Sequence, residues 1–411
     1  MKSKSHITVC GAPEGFDAKL ILDEVGKSGA PVLHIARDDR RLSEIQAALA
    51  FYAPEMPVVV FPAWDCLPYD RVSPNADICA ARMATLAALA HGMPKQFVLL
   101  TTLNAATQRV PARELLKEAS FKAQVNSRID EAALKQYLVR MGFTQSPTVM
   151  EAGDYAVRGG IIDIFPPGEA GPVRLDLFGD VLDSARRFDP ASQRTTEKLD
   201  VVELAPVSEV ILDEAAITRF RQNYRIEFGA AGTDDPLYEA ISAGRKHAGA
   251  EHWLGFFHDH LETLFDYVPT ATVTIDDQVT PTRLARWTMI EDAYDTRMFA
   301  LKQKGRMDSV YKPAPPALMY LDDPNWEAVT ADRRVLQFTP LKQSTGLGVI
   351  DAGGRIGRDF APERQQENVN LFKALLLHVK ARASEGPVVV ASYSEGARER
   401  LMGLLEDEGA G

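Results

Sequence analysis

Four short apolar runs, HITVCG (6–11), PVLHIA (31–36), PVVVFPA (57–63) and QFVLLTT (96–102), constrain this chain most. Each is too short for a buried helix and apolar at successive positions, which is the pattern of a strand covered on both faces. Amphipathic stretches separate them. Phe16, Leu20, Ile21 and Val25 share one helical face, and Leu42, Ile45, Leu49 and Tyr52 another; Ile78, Arg82, Leu86 and Leu89 follow Asn75, a candidate N-cap. Strand–helix alternation of this kind predicts an α/β fold with a parallel, doubly wound sheet over residues 1–113.

Between 114 and 208 the rhythm changes. A helix over 130–141, with Leu134, Tyr137, Leu138 and Met141 on one face, precedes closely spaced strand patterns: TVMEAG, DYAVR, GIIDIF, PVRLDLFG and VLDSARRF. Strands in succession predict an antiparallel sheet beside a helix, hence an inserted α+β domain. Residues 209–311 return to mixed character, with the helical AITRFRQNY, the aromatic EHWLGFFHDHLETLFDYVP, a strand ATVTID and a polar helix over about 281–304. KPAPPA (312–317) reads as the core of a proline-rich linker, 312–324, because consecutive prolines forbid helix. RRVLQFTPL, a helix from 362 bearing Val369, Phe372, Leu376 and Val379, and a strand PVVVAS (387–392) predict a further small α/β domain over 325–411. It ends straight after a helix at EDEGAG, which suggests a truncated domain. The expected architecture is therefore multidomain α/β.

Composition narrows the function classes. No run approaches the roughly 18 apolar residues of a membrane span, and the opening MKSKSHITVCGA lacks a signal-peptide core, so a cytoplasmic location is expected. Cys10, Cys66 and Cys79 have no CxxC spacing, which argues against disulfides and structural zinc. A net charge of −11 opposes a broad grip on nucleic acid, which depends on releasing counterions to Lys and Arg.

The turn after the first strand is where a nucleotide-binding fold cradles phosphate. Here it reads Gly11-Ala-Pro-Glu-Gly15-Phe-Asp-Ala-Lys19, which breaks the GxxxxGK[ST] pattern at the glycine spacing, the lysine and the hydroxyl. Pro13 removes an N–H, while Glu14 and Asp17 would repel a triphosphate and offset the helix dipole themselves. Asp276-Asp277, ending the ATVTID strand, reads as a turn or cap rather than a catalytic pair. His258 and His260 lack a visible third metal ligand, Trp253, Phe256 and Phe257 read as packing, and Cys66 sits between Asp65 and Asp70, the wrong charge for a reactive thiol. No catalytic residue, cofactor or metal is expected.

PVRLDLFGD (172–180) carries the clearest binding signal. Alternation puts Val173, Leu175 and Leu177 on one face and Arg174, Asp176 and Phe178 on the other. With the aliphatic row against a helix, a phenylalanine stands among charges on the open side. An aromatic beside an arginine is the pairing that dominates protein–protein hot spots, although cover by a neighbouring domain would give the same pattern. Arg158, before Gly159-Gly160, extends the patch. Substituting Arg174 and Phe178 is expected to leave stability nearly unchanged.

YAVRGGIIDIFPPG (155–168) and RLDLFGDVLDSARRFDPASQRT (174–195) resemble the core shared by the excision-repair protein UvrB and the bacterial transcription-repair coupling factors, the Mfd family. LPYDRVSPNADICAARMATLAAL (67–89) is similar to the coupling-factor version, and FDYVPTATVTIDDQ (265–278) resembles a decayed UvrB acidic-box strand. The resemblance covers roughly 1–310, and less firmly 325–411. It implies a degenerate RecA/UvrB-like domain in two parts, 1–113 and 209–311, around a UvrA-binding domain, 114–208. It further implies that Arg158, Arg174 and Phe178 match the UvrA-binding positions and that a C-terminal domain of the full-length protein masks them at rest. RNA polymerase, DNA and an ATP-driven motor would belong to other domains. The competing readings are a UvrB-like helicase fragment that keeps ATPase activity and a damaged-DNA binder.

Overall fold

The four apolar runs form strands β1 (His6–Cys10), β2 (Val32–Ala36), β3 (Val58–Phe61) and β4 (Val98–Thr102) of one parallel sheet. They do so in a computed structural model that describes residues 6–230, 235–303, 311–344, 346–366 and 369–409. Helices α1 (Phe16–Ser28), α2 (Asp39–Tyr52) and α3 (Ala76–His91) connect them. Their starts follow local chemistry: the Asp38 carboxylate accepts the Arg41 N–H at 2.8 Å, and the Asn75 side chain accepts that of Asp77 at 2.8 Å. β2 and β4 are buried at every position, as strands must be when helices cover both faces.

Three later strands complete this sheet, and two of them redraw the expected domain map. Its order is Val349–Asp351, β1, Val335–Phe338, Thr272–Ile275, β2, β4, β3, with every neighbouring pair parallel. The strand within RRVLQFTPL thus lies between β1 and Thr272–Ile275 instead of opening a separate domain at 325. The chain divides into units 1–354 and 355–411. The reason is burial: Val335 and Val273 are register partners in the core beside Leu33 and Leu99, and a side chain of this kind stabilises by about 1.5–3 kcal/mol when covered.

The KPAPPA segment avoids α-helix, as its prolines require, yet it is docked rather than free. Lys312 pairs with Asp235 at 3.0 Å, Trp253 Nε1 donates to the Lys312 carbonyl at 2.7 Å, and Ala314 is buried. Residue 304 of the helix expected over 281–304 lies outside the described residues; the helix itself spans Val279–Lys302.

The insertion carries a six-stranded sheet ordered Thr195–Leu199, Val181–Phe188, Val173–Phe178, Ile161–Ile164, Asp154–Arg158, Thr144–Gln145. It is antiparallel except for the last pair. Helix Glu131–Arg140 packs Leu134 and Leu138 into one core with Ile162, Leu175 and Leu182. TVMEAG forms no strand, because the Asp154 carboxylate takes the N–H groups of Met150 and Glu151 at 3.1 and 3.2 Å and turns the chain.

Unit 355–411 holds helices Ala361–Gln365, Leu371–Ala383 and Glu395–Asp407. The helix expected from 362 is thus two, the second capped by the Asn370 side chain. PVVVAS forms no strand and Val389 is exposed, since a strand needs a ladder partner and this unit has no strand among its described residues.

Candidate functional site

The insertion's sheet packs one face on its helix, and its other face, covered in part by the small cluster of Val149, Ala156 and Phe188, gathers the three residues singled out above. In Val173–Phe178 the aliphatic row points to the helix, while Phe178 is 84% exposed at the hairpin tip, paired across the turn with Val181. Gly179, at φ +65°, supplies the left-handed first position of that two-residue turn. One rung from the tip, Arg158, Ile161, Asp176 and Ser184 are lateral partners on four adjacent strands, so their side chains share a face. Ala156, Asp163, Arg174, Arg186 and Lys198 form the next rung.

Arg158 and Arg174 therefore flank the surface that ends in Phe178. The approach of the two hairpins is tight: a Cβ on Gly160 would lie 2.7 Å from the Leu177 carbonyl oxygen, and Leu177 N donates to Gly160 O at 2.7 Å. Ile161, 37% exposed beside Arg158, is an apolar contributor that the reading of 172–180 passed over. Pairing IIDI about the Gly159-Gly160 turn would have revealed it.

The three residues differ in what else they do. Phe178 touches little of its own fold. Arg158 donates to the Pro147 carbonyl oxygen across the edge of the sheet. Arg174 grips the buried carboxylate of Asp163 with two bonds, Nε to Oδ1 at 2.7 Å and Nη2 to Oδ2 at 2.9 Å. Its guanidinium also lies 4.7 Å from the ring centre of the buried Phe188. The expectation that Arg174 can be replaced without cost to stability is thereby corrected, because its removal strands a buried carboxylate.

At the turn after β1, the N–H groups of Gly11, Ala12, Gly15, Phe16, Asp17 and Ala18 are already bonded within the fold. Gly11 N and Ala12 N donate to Leu341 O and Thr339 O, at 3.4 and 3.0 Å, and Phe16 N and Asp17 N both donate to Pro13 O, at 3.0 and 3.2 Å. Gly15 N and Ala18 N donate to the Asp17 carboxylate at 2.9 and 2.8 Å. A Cβ on Gly354 would come within 2.6 Å of Gly11 O, so the 354 backbone is seated on the loop. Lys19, where the phosphate-loop lysine was sought, instead pairs with Asp23 at 2.9 Å on the surface of α1. The helix N-terminus thus holds an anion of its own making.

Behind the turn lies a charge network that spacing alone did not suggest. The Arg41 guanidinium is buried between Asp17, which it grips through Nη2, and Asp276, with Nε 3.2 Å from Oδ2. Arg37 adds contacts to Asp276 at 3.6 Å and Glu14 at 2.9 Å. Burial pushes the Asp17 carboxyl up to about 6, against the pull of Arg41 and the two N–H groups, and raises Asp276 in the same way. Asp276 does accept the Asp277 N–H at 2.9 Å, as a turn residue would, but its main role is as an ion-pair partner.

The remaining candidates resolve plainly. His258 is buried with Nε2 2.9 Å from Glu209 O, and His252 packs edge-on against Trp64, its pKa driven down to about 4 by burial. His260 does gain neighbours, Glu114 and Glu262, with one ligand atom of each within 4.8 Å of the others. Glu262 is however forked by Arg113 at 3.1 and 3.3 Å, so a cation already sits there. Burial, aided by Asp65, pushes the Cys66 thiol up to about 12, which leaves it a poor nucleophile.

Residues 121–210, the inserted domain, match the family described as the UvrB interaction domain. The class this defines is a chain with a filled phosphate turn carrying a UvrB-type interaction domain. The transcription-repair-coupling factor of Escherichia coli (strain K12) is 30% identical over 94% of this chain and 33% of its own length. Those of Rickettsia bellii and Haemophilus influenzae are 30% and 27% identical over 92% and 95% of the chain, and over 32% and 33% of their own lengths. Over more than nine-tenths of its length the chain is thus similar to transcription-repair-coupling factors, and it spans about a third of the length of these relatives.

Proposed function

We propose that the open face of the inserted sheet is a docking surface for UvrA, through which a transcription-repair coupling factor brings excision repair to stalled RNA polymerase. The observation that carries this reading is the exposed Phe178 ring, set on the same face as Arg174 and Arg158 while the sheet's other face is packed. An aromatic anchor rimmed by arginines is the arrangement that supplies most of the binding energy in protein interfaces. The match of residues 121–210 to the UvrB interaction domain supports the same partner.

In this reading the unit is a recruiter, and no nucleotide turns over at the β1 turn. Six of its N–H groups, from Gly11, Ala12, Gly15, Phe16, Asp17 and Ala18, are bonded internally, and Asp17 occupies the anion position. RNA polymerase, DNA and ATP-driven motion are assigned to other parts of the longer protein, and so is a C-terminal domain that would cover Phe178 at rest. The test is a pull-down with UvrA from the same organism. Wild type is retained and Phe178→Ala is lost while its thermal melt stays put; retention of the variant would remove the site from consideration.

A further inference from the structure

On the docking face, Arg174 is held in one pose from two sides. Asp163 on the neighbouring strand takes its Nε–H and one Nη2–H at 2.7 and 2.9 Å. Phe188 lies against the guanidinium at 4.7 Å from the ring centre and is itself buried beside Val149 and Ala156. Asp163 is only 3% exposed, whereas the arginine side chain keeps 24% of its surface. The Nε/Nη2 edge, the one that forks most readily onto a carboxylate, is therefore spent inside the fold. Two N–H groups on Nη1 and one on Nη2 are left over from that grip.

We infer that Asp163 and Phe188 are positioning residues for partner binding: they fix Arg174 so that it meets the partner in one pose, with the N–H groups they leave free. The partner then offers one or two acceptor oxygens, from a backbone carbonyl or a carboxylate, beside a hollow for Phe178. The gain is pre-organisation. A free arginine loses rotamer freedom when it binds, and one already locked by a fork and a stacked ring does not. This inference rests on the proposed docking of UvrA, and its test is arranged to separate the two.

Binding to immobilised UvrA is measured for wild type, D163N, F188L, R174Q, F178A and the doubles D163N/R174Q and F188L/R174Q, with a thermal melt for each. R174Q retains an amide that can still donate to Asp163, which protects the fold. If the two residues act through Arg174, D163N weakens binding by about tenfold and F188L by about threefold, and neither adds to the loss caused by R174Q. Nitrogen-15 NMR of the arginine Nε–H gives a second readout: a protected Arg174 signal in wild type exchanges faster in D163N. Wild-type affinity in D163N and F188L, or equal losses with and without R174Q, would overturn the positioning role while leaving the docking face intact. Should wild type fail to bind UvrA, or R174Q and F178A bind as wild type does, the docking reading falls and the inference with it.

Discussion

Replacing Arg41 with Met tests whether the filled phosphate turn is an electrostatic construction. Asp17, Arg41 and Asp276 are 2%, 1% and 3% exposed, so the guanidinium is the cation that two buried carboxylates share. Removing one member of a buried ion pair costs about 3–5 kcal/mol, because the partner is left without compensation. Arg37, 3.6 Å from Asp276, offsets only part of this. Asp17→Asn should cost about 1–2 kcal/mol, since its side-chain oxygen can still accept from Gly15 and Ala18 and Arg41 keeps Asp276. The pH dependence has a definite sign. Burial raises the folded pKa of Asp17 from its ordinary 3.8 to about 6, so between those values the folded state holds the extra proton. Stability from this group is full below the lower value and is lost as pH rises through the upper one. Without Arg41 both carboxylates rise further, so the deficit of Arg41→Met should narrow between pH 7.5 and pH 5, while that of Asp17→Asn should not. Urea unfolding at the two pH values measures both. An Arg41→Met protein within 1 kcal/mol of wild type (about a fivefold change in the folding equilibrium), or one whose deficit ignores pH, would refute the reasoning.

Other perturbations follow from the same geometry. His34 is buried with Nδ1 2.9 Å from Thr274 Oγ1, and burial drives its pKa from 6.5 to about 3; the unfolded chain takes up a proton first on acidification. Stability is thus full above pH 6.5 and falls below it, so His34→Gln should reduce the loss between pH 7 and pH 5 by about 2 kcal/mol, and an unchanged slope in urea titrations counts against it. Gly160→Ala would drive a methyl into the Leu177 carbonyl oxygen; a lower melting point and weaker UvrA binding are expected, and an unaltered protein contradicts the close approach. Saturating MgATP should leave the melting temperature in place, and a rise of several degrees would reopen the nucleotide reading.

The sequence made β1 to β4 legible because all four are apolar at successive positions, as strands covered on both faces must be, although only β2 and β4 are buried along their whole length. It made the Phe178 face legible because alternation survives along Val173–Phe178, even though the pairing with Val181–Phe188 shifts register between Asp176 and Leu177. Partners distant in sequence were not legible. RRVLQFTPL read as a strand, but nothing in its composition says that its neighbours are β1 and Thr272–Ile275. PVVVAS carries the same β-branched signal, yet no strand in its unit's described residues pairs with it. The Asp17–Arg41–Asp276 network was hidden for a different reason. Charged residues are ordinarily solvated, so Asp17 read as a dipole-compensating surface acid and Arg41 drew no notice. Only the fold brings together groups 24 and 235 positions apart.

The most direct test of the account is the affinity of the chain for UvrA, compared between wild type and Phe178→Ala by a titration in solution. The ring makes almost no contact with its own fold, so the account predicts an unfolding curve within about 0.5 kcal/mol of wild type and an affinity lower by at least about 30-fold, the mark of a central anchor. Equal affinities for the two proteins, both properly folded, would contradict it.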